Sequence, residues 1–194
     1  MEFEHFDFVS LVNHFGGIAV LWNNGNVHAS VLFKETRAIH MLVHNPNKVQ
    51  NSIISGIYAP AQPRDKRDFW NHSVELNNAI DLLWCLMGDF NEILYPNEKL
   101  GRQPPATTRF HRLNYFLSVI NAEYVQVSGR LFIWKKKIHT HLIYERLDRT
   151  MIRKDWSTLY PDTYETHGNF SCFDHCPIIM STQAHLQMAK SFPF

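Results

Sequence analysis

Leu82-Leu83-Trp84-Cys85-Leu86-Met87, running into Gly88-Asp89-Phe90-Asn91, is the stretch on which the reading of the fold turns. A short, almost wholly apolar run suits a central strand buried on both faces. It stops at a glycine, and polar residues two apart then put Asp89 and Asn91 on the same side. That side is the rim of a sheet, where loops gather and sites are built. A carboxylate there can activate a water, and an amide beside it can hold a phosphate oxygen or a metal-bound water. Gly-Asp and Asn are also ordinary strand-ending residues, so this turn needs company before it means chemistry.

Working outward, residues 18–22, 28–33, 38–44 and 52–58 are short runs rich in β-branched and aromatic residues, separated by Asn, Gly and Pro. They read as consecutive antiparallel strands, with Trp22, Val31, Phe33, Ile39, Met41, Val43, Ile53 and Ile57 pointing inward. Pro63 opens a helical period, in which Phe69, Trp70, Ser73, Leu76, Ile80 and Leu83 recur at three- and four-residue steps. Arg64, Asp65, Lys66, Arg67 and Glu75 fall outside that stripe. A second amphipathic helix is expected over 108–121, carrying Phe110, Leu113, Phe116, Leu117 and Ile120. Short strands follow near 124–127, 131–135, 143–148, 164–167 and 177–181. Strands dominate and helices sit between groups of them, which defines an α+β class with packed sheets and outer helices. Phe69, Trp70, Ile80, Phe116, Leu117 and Trp134 are expected to be buried.

With 194 residues, 45% of them hydrophobic, the chain has the material for about one domain and a real core. Nineteen basic side chains balance eighteen acidic ones, so the net charge of +1 sets up no strong global field. Any site for a polyanion must therefore be local. The longest apolar stretches, such as residues 18–22, fall far short of a bilayer span, and no membrane partner is expected. The acidic start, Met1-Glu2-Phe3-Glu4-His5, lacks the basic and apolar regions of a secretory signal. Cys85, Cys172 and Cys176 are odd in number and scattered, which argues against a disulfide framework. The expected setting is intracellular, nucleus or cytoplasm, and not secreted.

Four further places could carry chemistry. Phe173-Asp174-His175-Cys176-Pro177 puts an Asp-His pair just before an apolar strand, where an imidazolium could meet an anionic transition state. Cys172, Cys176, His167 and His175 raise the question of zinc, but no second cysteine pair completes a zinc-like spacing. In Glu145-Arg146-Leu147-Asp148-Arg149, period 2 sets Arg146 and Asp148 on one face and Leu147 on the other. A charge facing into a sandwich is costly unless paired, so Asp148 either meets solvent or has a specific partner, and a protonated His is one candidate. Tyr58 ends a strand as Ile57-Tyr58-Ala59-Pro60. Lys135-Lys136-Lys137 with His139, His141, Phe132 and Trp134 forms a basic, aromatic patch, which reads either as a solvated hairpin loop or as a hold on nucleic-acid backbone.

The order of these motifs resembles the endonuclease/exonuclease/phosphatase superfamily, and more closely the endonuclease domain of plant LINE-type (non-LTR) retrotransposons. Gly16-Gly17 leading into residues 18–22, Arg67-x-x-Trp70, Asp89-Phe90-Asn91-Glu92-Ile93-Leu94 with Glu98-Lys99-x-Gly101, and Gly129-x-x-Phe132-x-Trp134 carry the resemblance. Glu145–Arg149 and Asp174-His175-Cys176-Pro177-Ile178 close the series. The resemblance implies a four-layer αββα sandwich of the DNase-like kind over residues 16–182, with 1–15 a residual segment and 183–194 a tail. It implies a phosphodiester hydrolase acting on DNA with Mg²⁺ or Mn²⁺. Asp89 would orient or deprotonate the attacking water, Asn91 would hold the phosphate, and His175 would stabilise developing charge with Asp148 fixing its ring. Asp174 would serve the metal region and Tyr58 would touch the phosphate. The chain departs from the pattern in three places. The family's first strand and helix, with their Asn and metal-binding Glu, are expected to be missing, Phe173 stands for a Ser, and Ile133 for a Thr. Loss of that metal site makes a catalytically dead remnant, at most a weak nucleic-acid- or protein-binding module, the competing expectation. A phosphatase of inositol phosphates or lipids shares the scaffold, but the retrotransposon features span most of the chain.

Overall fold

The computed structural model describes residues 2–10, 17–25, 27–48, 50–171 and 173–183. In chain order they form β1 (His5–Val9), β2 (Ile18–Trp22), β3 (His28–Glu35), β4 (Ala38–His44), β5 (Ser52–Tyr58), α1 (Pro63–Ala79) and β6 (Leu83–Asp89). A 3₁₀ turn at Pro96–Glu98 leads to β7 (Lys99–Leu100) and α2 (Thr107–Val119). Then come β8 (Ala122–Tyr124), β9 (Gln126–Ser128), β10 (Trp134–Ile138), β11 (His141–Glu145), β12 (Asp148–Arg153), α3 (Lys154–Leu159), β13 (Tyr164–His167) and β14 (Ile178–Ser181).

A six-stranded sheet in the order β3-β4-β5-β6-β12-β8 is the spine. As the apolar run from Leu82 implies, β6 sits inside it, parallel to β5 and antiparallel to β12. Leu83, Trp84, Cys85 and Leu86 are all buried, because alternate side chains enter different cores. Trp84 and Leu86 join Ile53, Ile57, Trp70, Leu113, Phe116, Leu117 and Met151 beneath α1 and α2. Leu83 and Cys85 pack on the opposite side with Ile152, Trp156, Tyr160 and Met180. Of three smaller sheets among the described residues, β1-β2 and β14-β13-β9 contact the large sheet, β2 at β4 and β5 and β14 at β12, and the third has the order β10-β11-β7. The result is an α+β sandwich.

Several expectations shift by small amounts. Residues 5–9, where the sequence suggests no element, form β1, and β2 pairs with it rather than with β3. The strand expected over 143–148 breaks at Arg146-Leu147, so that Glu145 ends β11 and Asp148 begins β12 in different sheets. The strand near 124–127 is likewise divided at the buried Val125, and the run 131–135 begins its strand only at Trp134. Ile39, Met41, Ile53 and Ile57 are buried as expected, whereas Trp22, Val31, Phe33 and Val43 are half-buried. Trp70, Phe116 and Leu117 are core, while Phe69, Ile80 and Trp134 are only half covered. Lys66, assigned by the sequence to the outer face of α1, is 4% exposed. It lies four residues before Trp70 and seven before Ser73, which puts all three on the inner face.

Candidate active site

The rim of the large sheet places three polar side chains level with one another. Tyr58 on β5 pairs in register with Asp89 on β6, and Asp89 pairs with Asp148 on β12. Gly88 makes this possible. Its φ of +133° suits only glycine, and a Cβ there would come within 2.2 Å of the Ile57 carbonyl oxygen. β5 and β6 therefore close up just before the rim. Beyond Asp89 the chain turns sharply, with Asn91 at φ +51°.

That turn is held by its own side chains. The Asn91 backbone N–H donates to Asp89 Oδ1 at 2.8 Å, and the Asn91 amide donates to Asp89 Oδ2 at 2.9 Å and to the Ala59 carbonyl at 2.8 Å. Both amide hydrogens of Asn91 are thus engaged, and Asp89 is fixed through both oxygens.

His175 arrives from the other side of the rim. Its segment is tied down by backbone bonds from Lys135 N–H to the Asp174 carbonyl and from Cys176 N–H to the Ile133 carbonyl. The ring is 6.4 Å, centroid to centroid, from Trp134 in an edge-on arrangement. Its Nδ1 lies 2.7 Å from Asp148 Oδ2, so Asp148 has the His partner that its inward position calls for. Burial opposes charge on the imidazole. The Asp148 hydrogen bond and charge, with Asp89 and Asp174 beyond, outweigh it and hold His175 above the usual imidazole range. Burial and the facing Asp148 raise Asp89 as well, up to about 6, which in an acid favours the neutral form.

One cleft of about 340 Å³ gathers Tyr58, Asp89, Asn91, Asp174 and His175, with Trp134 on its wall. With Asp148 bonded to His175, all six residues singled out from sequence meet at one end of the sandwich. The same cleft is lined by Lys66, Arg109 and Glu145, which the sequence did not single out. Lys66 Nζ donates to the Asn91 carbonyl at 2.7 Å and lies 3.0 Å from Glu92 Oε1. Glu92, with no exposed surface, also meets Arg112 at 2.5 Å and Arg109 at 3.5 Å. Arg109 grips Glu145 through both of its terminal nitrogens, at 2.9 and 2.7 Å, and Lys99 approaches the same carboxylate at 3.1 Å. The helical step from Lys66 to Trp70 was the one sequence signal for this frame.

For Mg²⁺ or Mn²⁺ the donor set is short. Both Asp89 oxygens accept from Asn91 and Asp148 serves His175, which leaves Asp174 as the cleft carboxylate without a partner of that kind. Among the described residues, no three His, Cys, Asp or Glu side chains converge on a point where an ion could sit. These residues do not make a resident metal site. The zinc alternative fares no better, with Cys176 buried and Cys172 outside the described residues. Lys135 packs over Phe170 at 4.4 Å, and Lys136 and Lys137 project from the β10–β11 hairpin.

Solved structures share this architecture. The endonuclease domain of TRAS1, a telomere-specific non-LTR retrotransposon, aligns over 94% of this chain and 80% of its own, with a TM-score of 0.69 and 11% identity. The AP endonuclease LMAP from Leishmania major gives 0.72 over 91% and 70%, at 12% identity. An endonuclease/exonuclease/phosphatase family protein from Leptotrichia buccalis gives 0.56 over 91% and 70%, at 15% identity. No family model and no curated protein matches the chain in sequence. The likeness establishes the fold, a DNase-like α+β sandwich. No helix among the described residues is long and apolar enough to cross a membrane.

Proposed function

We propose that the cleft is a phosphodiester-hydrolysing site of the DNA endonuclease type, of the kind carried by plant non-LTR retrotransposons. The observation that carries this reading is the Asp148–His175 pair, 2.7 Å apart, set beside Asp89 in one cleft. Asp89, with its affinity for protons raised to near neutral, is suited to take a proton from an attacking water. The two bonds from Asn91 hold it in one orientation. His175, kept cationic by Asp148, faces the place where negative charge would build on the phosphoryl oxygens. Tyr58 offers its phenol to the same phosphate, and Asn91 reaches it by exchanging one of its two amide bonds. Asp174 is the oxygen ligand left for a divalent ion, which would add Lewis-acid stabilisation if the substrate brought one into the cleft. A DNA substrate would put the protein in the nucleus or cytoplasm.

The short donor set favours a second reading, that the cleft still binds DNA but no longer cuts it. Nicking of supercoiled plasmid with Mg²⁺, compared with Asp89→Ala and His175→Ala, decides between the two. Activity lost in both variants supports the hydrolase. Indistinguishable wild type and variants leave only the binding module.

A further inference from the structure

The frame behind the cleft carries more positive than negative charge. Lys66, Arg109, Arg112 and Lys99 converge on only two carboxylates, Glu92 and Glu145. Arg109 is spent on both of these. Lys66 differs. Its ammonium has three hydrogens, and two are accounted for by the Asn91 carbonyl and Glu92. It is nearly buried yet belongs to the lining of the cleft, at the level of the Asp89–Asn91 turn. A cation fixed by a backbone carbonyl and a wholly buried carboxylate needs no rearrangement to receive an anion, and with little water around it the attraction is strong.

We propose that the Lys66 ammonium is a built-in cation for a substrate phosphate, so that the cleft binds DNA without a divalent metal. The inference rests on reading the cleft as a phosphodiester site, and it adds to that reading a ligand residue the sequence placed on the solvent face. Lys66 contributes a charge–phosphate contact in addition to holding the Asn91 turn.

Binding of a fluorescein-labelled DNA duplex, followed by anisotropy in EDTA over a range of salt concentrations, tests it. Wild type binds in EDTA nearly as well as in Mg²⁺. Lys66→Met and Lys66→Gln each weaken binding about tenfold, and the slope of log affinity against log salt falls by about one. Lys66→Arg keeps most of the affinity. Circular dichroism checks that each variant is folded, and Lys66→Gln, which keeps a donor for the Asn91 carbonyl, serves if Lys66→Met is not. Wild type that binds only with Mg²⁺ overturns the proposal. So does Lys66→Gln binding with wild-type affinity and salt slope, which would reduce Lys66 to a strut. Plasmid nicking separates this from the hydrolase reading. Nicking without metal-free binding refutes the inference alone, whereas Lys66-dependent binding in EDTA without nicking refutes only the hydrolase.

Discussion

Asp89 and Glu92 stand three residues apart, both carboxylates withdrawn from water, yet one lies at the cleft and the other in the frame behind it. Glu92 is met by Lys66, Arg109 and Arg112. Among the described residues Asp89 accepts hydrogen bonds from Asn91 alone, with His175 and Lys66 at longer range, and faces a second carboxylate, Asp148. The frame surrounds its carboxylate with cations and so holds shape, with Lys66 alone turned to the cleft. The rim leaves one carboxylate under strain, which keeps it close to taking a proton. Chemistry sits where compensation is incomplete, and rigidity sits directly behind it.

The largest expected effect is on the frame. Glu92→Ala leaves three cations with their shared counter-charge removed, and costs about 3–5 kcal/mol. On a domain of ordinary marginal stability that removes much of the folded population, which chemical denaturation would show. A change below about 1 kcal/mol would mean that water, not Glu92, compensates those cations, and the contrast with Asp89 would dissolve.

Next comes the rim itself. His175→Ala should lower plasmid nicking about a thousandfold while leaving the melting temperature nearly unchanged, since the ring is partly exposed and its partner Asp148 can meet solvent. Asp148→Asn is a smaller and more diagnostic change. It removes the main influence raising His175 and leaves the burial that lowers it, so the ring loses its proton at a lower pH. Nicking should fall about a hundredfold at neutral pH and recover partly towards acid, a shift of the alkaline limb to lower pH. A loss independent of pH would show that Asp148 acts on ring orientation alone.

How far the chain could be read without coordinates follows the same division. Period and punctuation located the strand through Trp84 and both long helices, because burial on a face leaves a repeating trace in sequence. Asp148 was legible in kind: an acidic residue pointing inward required a cation, and His175 was a candidate. The frame was not, because Glu92, Arg109, Glu145 and Lys99 come from a loop, a helix and two strands that nothing local relates. Lys66 misled for a different reason. A lysine is ordinarily solvent-facing, and that prior outweighed a helical step that placed it over Trp70. Trp134 was expected in the core as a hairpin residue, but β10 begins there, at the cleft wall, and leaves it half-buried. β1 carries the period-2 alternation of a strand in Phe6-Asp7-Phe8, and its phenylalanines point outward, at 72% and 55% exposure.

The smallest predicted effect is the most direct measure of what separates Asp89 from Glu92. In the folded chain Asp89 titrates at about 6, against an ordinary carboxylate value near 3.8. Between those values the folded state holds a proton that the unfolded state has released, so stability falls as pH rises from about 4 to about 6. Asp89→Asn removes that dependence. The variant should fall about 1–2 kcal/mol below wild type near pH 4, through the amide it sets against Asn91, and exceed it near pH 8, where wild type carries a buried charge beside Asp148. The full shift corresponds to about 3 kcal/mol. An asparagine sets one amide against the Asn91 amide, which returns part of this, so a gain of about 1–2 kcal/mol is expected. Urea unfolding of both proteins at the two pH values measures it. A variant less stable at pH 8 than at pH 4, relative to wild type, would mean that Asp89 is stabilised by its surroundings as Glu92 is, and that the rim stores no such strain.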